Sequence, residues 1–100
     1  MQVYDIVGEL GGLDPAKAVA LATKVITLRP QAARVALDFQ KVGTVSSGFA
    51  NAFFITLAGA APLQAWKEIL VLTGLDSHQQ HVLARSLQAA RHASAQVTRE

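Results

Sequence analysis

The sequence predicts an α/β domain built on a small, mainly parallel sheet in the order β-α-β-α-β-α. Three observations carry this reading. Short apolar runs alternate with longer amphipathic segments, the pattern of strands joined by helical crossovers. Val35-Ala36-Leu37 and Ile69-Leu70-Val71-Leu72 are apolar without polar alternation, as expected of strands covered on both faces. Helix-starting residues, Asp14-Pro15, Ser46-Ser47 and Asp76-Ser77, stand before each amphipathic segment.

The elements follow in order. Residues 2–7, with Val3, Tyr4, Ile6 and Val7, read as a first strand, broken by Gly8, Gly11 and Gly12. Asp14 is an N-cap and Pro15 fits the first helical position. Ala18, Leu21, Ala22, Val25 and Leu28 then form one helical stripe, and Pro30 ends it. Residues 34–39 are the second strand. Ser46 or Ser47 caps a second helix running to about Ala60, terminated by Gly59 and Pro62. Residues 66–73 read as the third strand, closed by Gly74. The third helix opens at Asp76 or Ser77, where Ser77 and Gln80 have capping-box spacing, and buries Val82, Leu83, Leu87 and Ala90. Three strands leave room for a fourth, drawn from residues 8–13 or from another subunit.

Composition narrows the functions. One hundred residues, 51% apolar, make one globular domain, placed at 1–95, with a polar tail at 96–100 expected to fray. The net charge is only +2, and the arginines and lysines form no stripe interleaved with aromatics, so a nucleic-acid face is unsupported. The absence of cysteine excludes a disulfide framework and a cysteine nucleophile, and it fits a cytoplasmic protein. The start, MQVYDIVGE, has neither the basic patch nor the apolar core of a signal peptide. Residues 42–66 carry no charge, the length of a membrane span, but Ser46, Ser47, Gly48, Asn51, Gly59, Pro62 and Gln64 interrupt them. The most apolar part, 49–61, has the length of a buried core helix, and no membrane span is expected.

Chemistry concentrates in residues 37–54, LDFQKVGTVSSGFANAFF. A strand ends near Asp38, a turn follows, and two serines and Gly48 open an apolar helix. Helix starts present free N–H groups and partial positive charge, which accommodate anions. Ser46 and Ser47 are caps worth about 1 kcal/mol, or a phosphoacceptor, and the two roles are compatible. Asp38 either orients Ser46 or caps the turn through its own backbone. Phe49 and Phe53 belong to a helix apolar nearly all round, and two coverings are equally expected for it: the third helix and loops of the same chain, or a partner or second copy, as in a homodimer. His78 and His81 lie three residues apart but have no visible third ligand, so no metal is expected. No Ser-His-Asp or paired-carboxylate arrangement can be placed by spacing, so neither an enzyme nor a cofactor is expected.

The residues Leu37-Asp38-Phe39, Val42, Ser46-Ser47 and Phe49-Ala50-Asn51-Ala52-Phe53 resemble the STAS-like family of short bacterial domains of unknown function. A looser resemblance extends over residues 6–90. More distantly, the segment is similar to the STAS anti-sigma-factor antagonists, in which an L-D-L strand leads to D-S-S/T-G at a helix start. The first serine of that motif, phosphorylated there by a partner with a histidine-kinase-type ATPase fold, matches Ser46, followed by Ser47 and Gly48. The motif's aspartate is Val45 here, and the turn after Val42 is one residue shorter. The resemblance implies a STAS-like fold and a non-enzymatic protein-interaction module in signalling. Its implied partner is such an ATPase. The alternatives are a structural or oligomerisation module without phosphorylation and a small-ligand or nucleotide-binding domain.

Overall fold

Two caps start the helices that carry the core. The Asp14 carboxylate accepts a hydrogen bond from Ala16 N at 2.9 Å, with Pro15 opening α2 (Pro15–Leu28). The Ser46 hydroxyl accepts from Phe49 N at 3.0 Å at the start of α3 (Ser47–Ala60). In the computed structural model, which describes residues 1–31 and 33–98, these helices sit among α1 (Tyr4–Val7), β1 (Val35–Asp38), α4 (Leu63–Ile69), β2 (Leu70–Thr73) and α5 (Ser77–Thr98). Short 3₁₀ turns at Gly11–Leu13 and Arg29–Gln31 flank α2.

α2 turns the expected stripe inward: Ala18, Leu21, Ala22 and Val25 are buried and Leu28 is partly so. α3 packs against both α2 and α5. This double contact explains its apolar character nearly all round, and it buries Phe49, Ala50, Phe53, Phe54 and Leu57. On α5, Leu83 is buried, while Val82, Leu87 and Ala90 pack against the core more loosely.

β1 and β2 pair in parallel, from Val35 opposite Leu70 to Asp38 opposite Thr73. The other side of β1 is flanked by the first three residues. The Met1 amine donates to Ala36 O at 2.8 Å, Asp38 N donates to Met1 O at 2.9 Å, and Val3 N donates to Asp38 O at 2.9 Å. β1 is therefore central, although its flank on that side counts only as a bridge between Gln2 and Asp38.

The architecture is α/β but mostly helical, and it departs from β-α-β-α-β-α in three places. Residues 2–7 are not a strand. Beyond Gln2 the chain coils into α1, because Val3, Ile6 and Val7 share one helical face, with Val3 and Val7 buried. Gly8, at φ 76°, ends that helix and donates its N–H to Tyr4 O at 2.8 Å. Residues 8–13 supply no fourth strand either. Gly12 is pressed against the chain before α3, where a Cβ on it would lie 2.4 Å from Thr44 O.

The third strand is half its expected length. Residues 63–69 are helical, opening on the Pro62 carbonyl, which accepts from Ala65 N and Trp66 N. Leu63 and Trp66 bury one face of α4. The Trp66 indole Nε1 donates to Leu57 O at 2.7 Å, and the Arg29 guanidinium lies over its ring at 5.3 Å. A strand at Trp66 could not make this return to α3. Of the tail expected at 96–100, residues 99 and 100 lie outside the described residues.

Trp66→Phe removes the indole donor and keeps an aromatic ring. It is expected to lower stability by about 1–2 kcal/mol, read as a shift of the urea midpoint at unchanged slope.

Candidate functional site

The segment joining β1 to α3 has no regular structure, so its backbone groups must find partners elsewhere. Asp38 begins it. Its carboxylate accepts from Gln40 N at 2.9 Å, closing an Asx turn. The next turn closes through Val42 N, which donates to Phe39 O at 3.1 Å, with Lys41 in the left-handed region at φ 71°. Gly74, just beyond β2, also has positive φ, and a Cβ there would lie 2.4 Å from Asp38 Oδ1. Asp38 thus serves its own turn, and no hydrogen bond joins it to Ser46 among the described residues.

Two other segments hold the next residues. Gly43 N donates to Glu9 O at 3.1 Å, and Ser46 N donates to Gly12 O at 2.9 Å, so the chain between α1 and α2 supports one side. α5 supports the other through Gln79, which is only 2% exposed. Its Nε2 donates to Val42 O at 2.9 Å and to Gly43 O at 2.7 Å. Its Oε1 accepts from Asp76 N at 3.0 Å, while Asp76 Oδ1 accepts from Gln79 N at 2.7 Å. The capping box of α5 is therefore Asp76–Gln79, one residue before the expected Ser77–Gln80 pair.

This frame delivers Ser46 and Ser47 to the start of α3, as expected. Ser46 is half-buried, its hydroxyl on Phe49 N, and its carbonyl accepts from Ala50 N. Ser47 is exposed. The backbone N–H groups of Ser47 and Gly48 have no acceptor among the described residues, so the first turn keeps free donors at its positive end. Gly48 is exposed, and a Cβ there would meet Pro15 at 3.6 Å and Ser46 Oγ at 3.9 Å, ordinary contacts. It contributes an open approach to the helix start and no special conformation.

Phe49 and Phe53 are not at a partner surface. They are 0% and 1% exposed, and Phe53 packs edge-on against Phe54 with ring centres 5.2 Å apart. The helix that looks apolar all round spends that surface on α2 and α5, leaving Ile55, 64% exposed, as its large apolar residue in solvent. Gln79 was not among the expected site residues. Its sequence signal was present in Asp76-x-x-Gln79, which has the same capping spacing as Ser77-x-x-Gln80. His78 and His81 belong to no group of three or more metal-binding side chains among the described residues. No described helix is long and apolar enough to cross a membrane.

A half-exposed serine cap, held where a loop leaves the central strand of a mixed α/β domain, defines a module organised around one helix start. The sequence matches the model of the STAS-like domain of unknown function over residues 21–80, and the chain belongs to that family. No curated protein and no solved structure matches it. The matched span runs from the buried face of α2 to the start of α5 and so includes Ser46 and Gln79.

Gln79→Leu leaves the Val42 and Gly43 carbonyls and Asp76 N without their partner. It is expected to cost about 2–4 kcal/mol in urea denaturation, against under about 0.5 kcal/mol for Gln80→Leu on the exposed face. Ser46→Ala, which loses only the cap, is expected to cost about 1 kcal/mol, and Ser47→Ala much less.

Proposed function

We propose that this domain is a protein-interaction module without catalytic activity of its own, and that it docks a regulatory partner at the α3 start. We further propose that the Ser46 hydroxyl is its phosphoryl acceptor. The observation that carries this reading is the position of Ser46: it is half-buried, fixed by its backbone to Gly12, and placed at the positive end of a 14-residue helix. Membership of the STAS-like family agrees with it. The partner the reading favours is an ATPase of the histidine-kinase type, carried over from the similarity of Ser46-Ser47-Gly48 to the antagonist motif.

In the transfer, Ser46 Oγ attacks the γ-phosphorus of ATP held by the partner. The Oγ–P bond forms, the bond from that phosphorus to the ADP oxygen breaks, and the serine proton passes to a base on the partner or to water. Phosphoserine and ADP result. The added charge, about −1.5 to −2, is favoured by the free N–H groups of Ser47 and Gly48 and changes the sign of the surface the partner meets. Release or recruitment of the partner follows from that change.

Incubation with ATP and a histidine-kinase-type ATPase encoded beside this chain is expected to add one phosphoryl group in intact mass. Ser46→Ala should abolish the gain and Ser47→Ala should leave it. No gain, or a gain that persists in the Ser46→Ala, Ser47→Ala double variant, would defeat the assignment.

A further inference from the structure

Beside the helix start lies a groove between α3 and α5, of about 230 Å³, lined by Ser47 and Asn51 on α3 and by His81, Arg85 and Ser86 on α5. Val82 and Ala89 complete its wall. Three features distinguish it from an ordinary helix-helix seam. None of the lining residues is acidic, while Arg85 and His81, one turn apart on α5, supply a fixed positive charge and a ring that can donate. Arg85 forms no ion pair or side-chain hydrogen bond among the described residues. Ser86, only 5% exposed, lines the groove, and its hydroxyl makes no hydrogen bond among the described residues. No buried side-chain polar atom is left unpaired among those residues, so this hydroxyl is one that solvent reaches and that a ligand atom can bond in place of water.

We propose that this groove binds a small phosphate monoester. Arg85 matches a phosphoryl group in charge and in geometry, because its planar fork can give two parallel hydrogen bonds to two oxygens. The hydroxyls of Ser47 and Ser86, the Asn51 amide and a ring nitrogen of His81 provide further donors around it. The free N–H groups of the first turn of α3 add positive potential at the same end. The groove has room for several water molecules, more than a bare phosphoryl group needs, and Val82 and Ala89 offer an apolar wall to the organic part of the ester. A carboxylic acid would satisfy the fork but leave donors unmatched. This site does not depend on Ser46 acting as a phosphoacceptor.

The test is a titration of the full chain with inorganic phosphate and with glycerol 3-phosphate, followed by amide chemical shifts. Saturable shifts at Ser47, Gly48, Arg85 and Ser86 are expected, with dissociation constants in the millimolar range or tighter and the ester at least as tight as phosphate. Arg85→Gln should weaken binding about tenfold and Ser86→Ala about fivefold. Arg34→Gln, at an exposed cation outside the groove, should change nothing. Shifts that fail to saturate, that sodium chloride reproduces at equal ionic strength, or that survive Arg85→Gln would overturn the site. Saturation by phosphate with none by the ester would overturn the assignment of the ligand class.

Discussion

The side-chain amide of Gln79 is the interaction on which the candidate site depends. It is buried, and both its ends are used: the oxygen by Asp76 N, the nitrogen by the carbonyls of Val42 and Gly43. A buried amide that lost these partners would pay the full cost of desolvation, so the three bonds stand or fall together. Their effect is to tie the first turn of α5 to a segment that has no secondary structure of its own. Glu9 and Gly12 grip the same segment from the opposite side, through Gly43 N and Ser46 N. Ser46 is therefore positioned by two parts of the chain distant from it in sequence, residues 9–12 and the start of α5, and the loop before it behaves as part of the scaffold. Gly12 belongs to this arrangement because any side chain there would displace the Thr44 carbonyl.

The sheet contributes less than a three-stranded reading implies. Two paired strands of four residues each are marginal by themselves. Here β1 gains support from Met1 and Val3 on one side and from β2 on the other, while the largest buried side chains come mainly from helices and loops, Trp66, Phe39, Phe49 and Phe53. α3 is the pivot of that core. Its cap faces the candidate site and its middle turns lie between α2 and α5. Trp66 binds the carbonyl of Leu57 near its far end. A change at the helix start is thus felt by an element clamped along most of its length.

The sequence made α2 and α3 legible because each announces itself twice, by a cap and by a stripe: Asp14-Pro15 with Ala18 to Val25, and Ser46 with Phe49 to Leu57. The cores of both strands were legible as apolar runs, but the expectation that both faces are covered fails: Ala36 and Val71 are exposed, so β1 and β2 turn one face to the core and the other to solvent. α1 and α4 were not, for one physical reason. Each is a short helix whose few apolar residues, Val3, Ile6 and Val7 or Leu63 and Trp66, also suit a strand, and four to seven residues cannot separate a period of 3.6 from a period of 2. Tertiary contacts decide such segments. The Leu57 carbonyl decides for Trp66, and Gly8 in the left-handed region decides for α1. The roles of Phe49 and Phe53 were obscured differently: apolar surface reads the same whether another subunit or the chain's own helices cover it. Gln79 was hidden because polar residues in the first turn of an amphipathic helix are expected to be solvated, and only the path of the 42–46 segment shows otherwise.

The two serines at the α3 start face different tasks although they are adjacent. Ser46 directs its oxygen to Phe49 N and so secures the helix; Ser47 leaves the cap alone and lines the groove against α5. A phosphoryl group on Ser46 and an anion in the groove would both draw on the same partial charge at the helix end, about half an elementary charge. That charge cannot neutralise two dianions at once, and like charges held this close repel more strongly beside a low-dielectric core than in water. If both proposals hold, a ligand in the groove would oppose a phosphoryl group on Ser46, and that phosphoryl group would weaken binding in the groove. The proposed phosphoryl group and the proposed groove ligand would then compete for one helix start, with Arg85 adding its charge from the neighbouring helix.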